Sequence, residues 1–152
     1  MRMAFPHVRR GSDLAALFLR LALGPILAYH GYRKIGDVSG FAAFIDSLPG
    51  VPFPTLTAYA VTFLELVGGL AILIGLLTPV WAFLLAIQFA LIPWLVKLDV
   101  GLIAPPGQGP GAELDLLILA MAIALILIGP GAFSLDAALR LTRAPADLRS
   151  AA

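Results

Sequence analysis

The chain contains no cysteine, only two histidines and few charges: 12% of its 152 residues are Asp, Glu, Lys or Arg. The missing cysteines exclude disulfides, thiol redox chemistry and cysteine-ligated metal. The histidines, His7 and His30, stand at opposite ends of the first apolar run, so no metal site is expected. A net charge of +1 with scattered Lys and Arg gives no electrostatic footprint for nucleic acid. Soluble domains carry about 25% charged residues. Here 61% of residues are hydrophobic, more apolar surface than a fold of this size can hide, so part of the solvent must be lipid.

A transmembrane helix needs about 20 apolar residues at about 1.5 Å each. Four segments qualify, at about residues 14–32, 56–77, 80–98 and 112–128. Ser12 or Asp13 is the expected N-cap of the first, and Pro79 opens the third. Gly129-Pro130-Gly131 ends the fourth. The basic start MRMAFPHVRRGSD before an apolar run has the form of a signal peptide. The run is long, and Gly31-Tyr32-Arg33-Lys34 is a poor cleavage site, so it reads as an uncleaved first span. Leu77-Thr78-Pro79 leaves room only for a tight antiparallel hairpin between the second and third spans. Phe41, Phe44, Ile45 and Leu48 share one helical face in the first loop, and Leu135, Ala138 and Leu139 share another after Ser134, a candidate N-cap; both segments read as interfacial. Residues 99–111, rich in Pro and Gly, are expected to be irregular. The expectation is a single all-α domain, an integral-membrane antiparallel four-helix bundle with short interfacial helices.

Lys and Arg in short loops set orientation. Arg2, Arg9, Arg10, Arg140, Arg143 and Arg149 flank the spans on one side, against Arg33, Lys34 and Lys97 on the other. The expected location is the bacterial inner membrane, multi-pass, with both termini cytoplasmic.

Ionisable groups within spans are costly, about 2.5–3.5 kcal/mol each on insertion scales, and are functional candidates by default. Arg20 lies seven residues past Asp13, and Glu65 about nine residues into the second span from the other side, so the two depths nearly agree. Arg20 is therefore expected to face Glu65. Arg20, Gly24, Leu27, Gly31 and Lys34 share a helix face with His30 beside them. Glu65 shares its face with Gly69, with Gly68 on the flank, small residues that let helices approach. Glu113 lines up with Ala120, Ala124 and Gly131 while Asp115 points the other way, and Gln88 lines up with Trp81 and Ile92. These faces predict a polar pocket of His30, Lys34, Glu65 and Glu113, with Arg20 and Gln88 deeper, roofed by residues 99–111. The plain structural alternative is that Arg20–Glu65 and Lys34–Glu113 are interhelical fasteners and His30 an interfacial anchor.

The stretches RLALGPILAYHGYRKI (Arg20–Ile35), ELVGGLAILIGLLTP (Glu65–Pro79), Glu113 opening the fourth span, and GPGAFSLD (Gly129–Asp136) resemble the DoxX family of small four-span bacterial membrane proteins. The resemblance runs from about Arg20 to Asp136. It carries the family's polar and glycine pattern onto Arg20, His30, Gly31, Lys34, Glu65, Gly68, Gly69, Glu113 and Asp136, with Gly129 and Gly131 in the last stretch. Pro79 stands where relatives often have arginine. The family takes its name from a subunit of a thiosulfate:quinone oxidoreductase, and other members are associated with oxidative-stress or redox complexes. The resemblance implies a membrane redox component working with quinone. Arg20, His30 and Lys34 would donate hydrogen bonds, Glu65 and Glu113 would carry protons, and a soluble or membrane redox partner would supply electrons. The alternatives are a non-catalytic scaffold anchoring a soluble oxidoreductase through the basic termini and residues 134–141, or a small-solute carrier. Four helices are few for a carrier unless copies of the chain associate.

Overall fold

The computed structural model describes residues 6–107 and 109–139, and contains no strand among them. Arg2, Arg140, Arg143 and Arg149, on which part of the orientation reading depends, lie outside them. Four long helices, α1 (Pro6–Ile35), α3 (Pro54–Ile74), α4 (Thr78–Leu95) and α5 (Ala112–Ile128), are joined by two short ones, α2 (Val38–Asp46) and α6 (Leu135–Ala138). The long helices close a ring in which α1 packs on α3, α3 on α4, α4 on α5 and α5 on α1. Among the described residues, three helices are long and apolar enough to cross a membrane: α1 over Arg10–Ile35, α3, and α4. α5 is equally apolar but has 17 residues.

The glycines set how α1 and α3 meet. A Cβ on Gly24 would press on Leu73 and Gly69 O, one on Gly69 on Ala28, and one on Gly31 on the backbone of Leu66. The two backbones therefore touch, antiparallel, with Gly24 opposite Leu73 and Gly31 opposite Leu66. Gly68 makes room for Trp81 of α4, also antiparallel.

α3 stops where Gly75 turns left-handed (φ 75°), and the N–H groups of Gly75 and Leu76 return to Ile72 O and Ala71 O. α4 starts immediately. Its first N–H groups, Leu77 and Thr78, donate to the two carboxylate oxygens of Asp136 at 2.7 and 3.0 Å, so a buried side chain from α6 caps α4. Ser134 caps α6 in turn through Ala137 N–H, as expected.

Leu23, Leu27, Ile72, Leu85, Ile118 and Leu125 are fully buried at the centre. The outer surface is as apolar as the inside: Phe18 is 68% exposed, Leu56 67% and Leu127 78%. Exposed apolar surface on this scale is what a lipid-facing protein carries.

The start of the first helix differs from expectation. α1 begins at Pro6, not at a cap on Ser12 or Asp13. Asp13 sits within the helix and its carboxylate accepts the Ala132 N–H at 2.9 Å. The first-loop amphipathic segment folds as α2, with Asp37 as N-cap accepting the Gly40 N–H at 2.8 Å. α2 packs back onto α3 and buries Ile45, so its apolar face serves the protein interior.

Candidate functional site

The polar residues of the interior fall into two groups at opposite ends of the helices. Arg20 and Lys34 are separated by fourteen residues of α1, about 21 Å at 1.5 Å per residue.

At one end Arg20 is almost completely buried. Its guanidinium donates to Ile72 O and Leu73 O at 2.9 Å each, Phe133 O at 2.8 Å and Pro130 O at 3.1 Å. Two acceptors belong to the last turn of α3, whose carbonyls carry the negative end of the helix dipole. Gly75 lies so close that a Cβ there would come within 2.7 Å of the guanidinium carbon. Arg20 thus joins α1, α3 and the chain after α5, beside Asp136. It does not face Glu65. The glycine contacts set Arg20 beyond Leu73 along α3, a full two turns from Glu65.

At the other end Lys34 forms an ion pair with Glu65, and Gln88 Nε2 donates to the other Glu65 oxygen at 2.6 Å. The Glu65 side chain is 3% exposed and Lys34 21%. Lys34 also lies 5.3 Å from the Phe41 ring centre, an ammonium–aromatic contact from α2. The expected Lys34–Glu113 fastener is not formed, since Lys34 is engaged by Glu65. Glu113 is held under the connecting loop, its N–H donating to Leu102 O and its Oε2 buried against Gly111 without a partner.

The Lys34–Glu65–Gln88 group forms part of the wall of a cavity of about 600 Å³ between α2, α3, α4 and α5. That is ample for a ring-sized ligand. His30, exposed, stands on its wall with Lys97 and Asp115. Apart from Thr57 the rest is apolar: Phe41, Phe44 and Ile45 from α2 with Leu48 just after it, Val61 and Leu64 from α3, Ile87, Leu91 and Ile92 from α4, Leu114 and Ile118 from α5. Of the six predicted site residues, the cavity brings together His30, Lys34, Glu65 and Gln88, and leaves out Arg20 and Glu113. Residues 99–111 were expected as its roof. Instead α2 walls it, and among the described residues of the loop only Pro110 contributes, its carbonyl accepting from Lys97. Asp115, 8% exposed, is the acidic residue of α5 on the cavity wall. Its neighbours on the buried face, Ala112, Ile118, Ala122 and Leu125, recur at three- and four-residue spacing and mark that face in the sequence. Of the glycines expected to be structural, Gly31, Gly68 and Gly69 sit in the helix contacts, while Gly129 and Gly131 take positive φ in the turn after α5.

A ring of apolar helices with a lipid-exposed surface and an internal polar group defines an integral membrane protein. The DoxX profile matches residues 15–98, and the chain belongs to the DoxX family. It is 30% identical over 129 residues to CatD of Bacillus subtilis (strain 168), whose name carries a provisional assignment as an oxidoreductase; the match covers 85% of this chain and 90% of CatD. No solved structure matches the chain significantly.

Proposed function

We propose that this DoxX protein is a quinone-linked component of a membrane redox system, with the cavity between α2 and α5 as its quinone site and α5 as a fourth span. The observation that carries the reading is one polar cluster, Lys34–Glu65–Gln88 with Glu65 buried at its centre, on the wall of a largely apolar cavity. The cavity also has a side toward lipid: Ala60 of α3 and Leu84, Ile87 and Leu91 of α4 line it and are exposed on the outer surface. A lipid-dissolved ring would reach it there without crossing water. CatD's name is in keeping with redox work.

The donor set fits a quinone. Lys34 and Lys97 offer ammonium protons to ring oxygens, and Phe41, Phe44 and Ile92 offer apolar walls. A bound quinone supplies the redox chemistry, accepting two electrons and two protons to become a quinol. The chain's part is to position the ring and handle protons. Glu65, fixed by Lys34 and Gln88, is the buried proton-bearing group, and exposed His30 is its link to water. Electrons come from a partner; a chain with no cysteine has no thiolates to hold an iron–sulfur cluster.

Equilibrium binding of a short-chain benzoquinone to purified protein in lipid nanodiscs tests this. Saturable binding is expected, weakened at least about tenfold in both Glu65→Gln and His30→Ala, with melting temperatures showing both variants folded. Absence of saturable binding by the wild type rejects the proposal.

A further inference from the structure

Of the helices around the cavity, α2 alone stands outside the ring of four. α1 ends at Ile35, just past Lys34, whereas α3 runs on from Glu65 back to Pro54, eleven residues or about 16 Å at 1.5 Å per residue. Over that length α2 takes the place of α1 against α3. Its hold is slight. Ile45 is the only side chain that α2 buries, and among the described residues it has no substantial packing on α4 or α5, which face it across the cavity. Its other tie is Phe41, whose ring centre lies 5.3 Å from the Lys34 ammonium.

Both links to α2 have room to turn. A Cβ on Gly36 would meet nothing closer than Arg33 O at 3.8 Å, and Gly50, at φ 78°, has nothing within 4 Å. The second link ends on Phe53, a bulky, exposed residue held left-handed (φ 50°) directly before Pro54. A residue before proline is normally extended, so this backbone is strained, and strain of this kind gathers at parts that move.

We infer that α2 is a lid over the cavity, swinging on residues 36–37 and 47–53, and that Phe41 latches it by holding the Lys34 ammonium. The inference rests on the quinone reading for what enters, while the lid itself is read out without ligand. Lys34 is shared: the ammonium that pairs with Glu65 on the cavity wall also faces the ring that holds the lid. A ligand oxygen that engages this ammonium therefore acts on the lid, and the position of the lid acts on the ligand to the same degree. Opening releases the Phe53 strain and breaks the Phe41 contact, so the two residues bias the lid in opposite directions.

The cysteine-free chain makes the motion measurable by pulsed electron spin resonance in nanodiscs. Spin labels go on Ala43→Cys of α2 with Ala90→Cys of α4, and on Tyr59→Cys of α3 with Ala90→Cys as the control within the ring; all three positions are exposed and none lines the cavity. The lid pair is expected to show two populated separations and the control pair one. Phe41→Leu should shift the lid pair to the longer separation, and Phe53→Gly, which relieves the left-handed strain, to the shorter. A saturating short-chain benzoquinone should also favour the shorter. A lid pair as narrow as the control, or one that both variants move the same way, overturns the lid and leaves the quinone site to its own binding assay. A quinone that binds without moving the pair overturns it too. A pair that answers both variants while no quinone binds upholds the lid and rejects the quinone reading. The two wild-type pairs decide the matter if a variant fails to fold.

Discussion

Arg20 is held by four carbonyl oxygens at the end of α3 and in the turn after α5, whereas Glu65 is held by the Lys34 ammonium and the Gln88 amide. These two buried charges are matched locally, as the cost of a bare charge in lipid requires. A double-mutant cycle separates this arrangement from a direct Arg20–Glu65 pair. Residues in contact couple by about 0.5–3 kcal/mol, and distant ones add to within about 0.5 kcal/mol. Stability of the protein in mild detergent should show coupling between Lys34→Met and Glu65→Gln, and additivity between Arg20→Met and Glu65→Gln. The sequence made Arg20 conspicuous as an arginine among leucines, and helix phase brought out His30, Lys34, Glu65 and Gln88. Its partner was not legible. Phase gives the direction a residue faces on its own helix but not the height at which two helices meet, and carbonyl acceptors leave no trace in side-chain identity. Asp115 was missed for a related reason. The stripe Glu113–Ala120–Ala124 looked like the packing face because its residues are small, yet Ala120 is exposed and the true face runs through Asp115 and Ile118.

At the scale of elements, glycine decides what the long helices do. α1 contains Gly11, with nothing within 4 Å of a would-be Cβ, and Gly31, where a Cβ would overlap the Leu66 backbone. The same substitution should therefore act in opposite directions. Gly11→Ala removes an exposed helical glycine and should stabilise by up to about 1 kcal/mol. Gly31→Ala must push α1 off α3 and should cost about 1–3 kcal/mol or more. Thermal melts of both variants in one detergent check the sign. The helices themselves were plain in the sequence, because an apolar run of span length has few other uses. Their ends were less so: residues 6–13 are polar, and hydropathy marks what lipid accepts, not where helical backbone begins. The hairpin at residues 75–79 was readable from its brevity, but the cap that Asp136 places on α4 joins residues 58 and 59 positions apart and has no local signature.

For the whole molecule, the cysteine-free sequence makes topology directly measurable. A single cysteine at Gly11, Ser47 or Ala138 would be the chain's only thiol, and all three positions are exposed. With a membrane-impermeant maleimide on spheroplasts, Ser47→Cys should label from outside, and Gly11→Cys and Ala138→Cys only after permeabilisation. Labelling of Ala138→Cys together with Ser47→Cys would deny α5 its crossing. The account's central claim concerns the cavity, and covalent mapping reaches it most directly. A photoreactive short-chain quinone should attach within residues 41–48, 57–65 and 84–97, the segments in and just after α2, in α3, and in and just after α4 that line the cavity, and excess unmodified quinone should suppress the adducts. Adducts confined to lipid-facing residues such as Leu70, Ile74 and Leu127, unaffected by competitor, would contradict it.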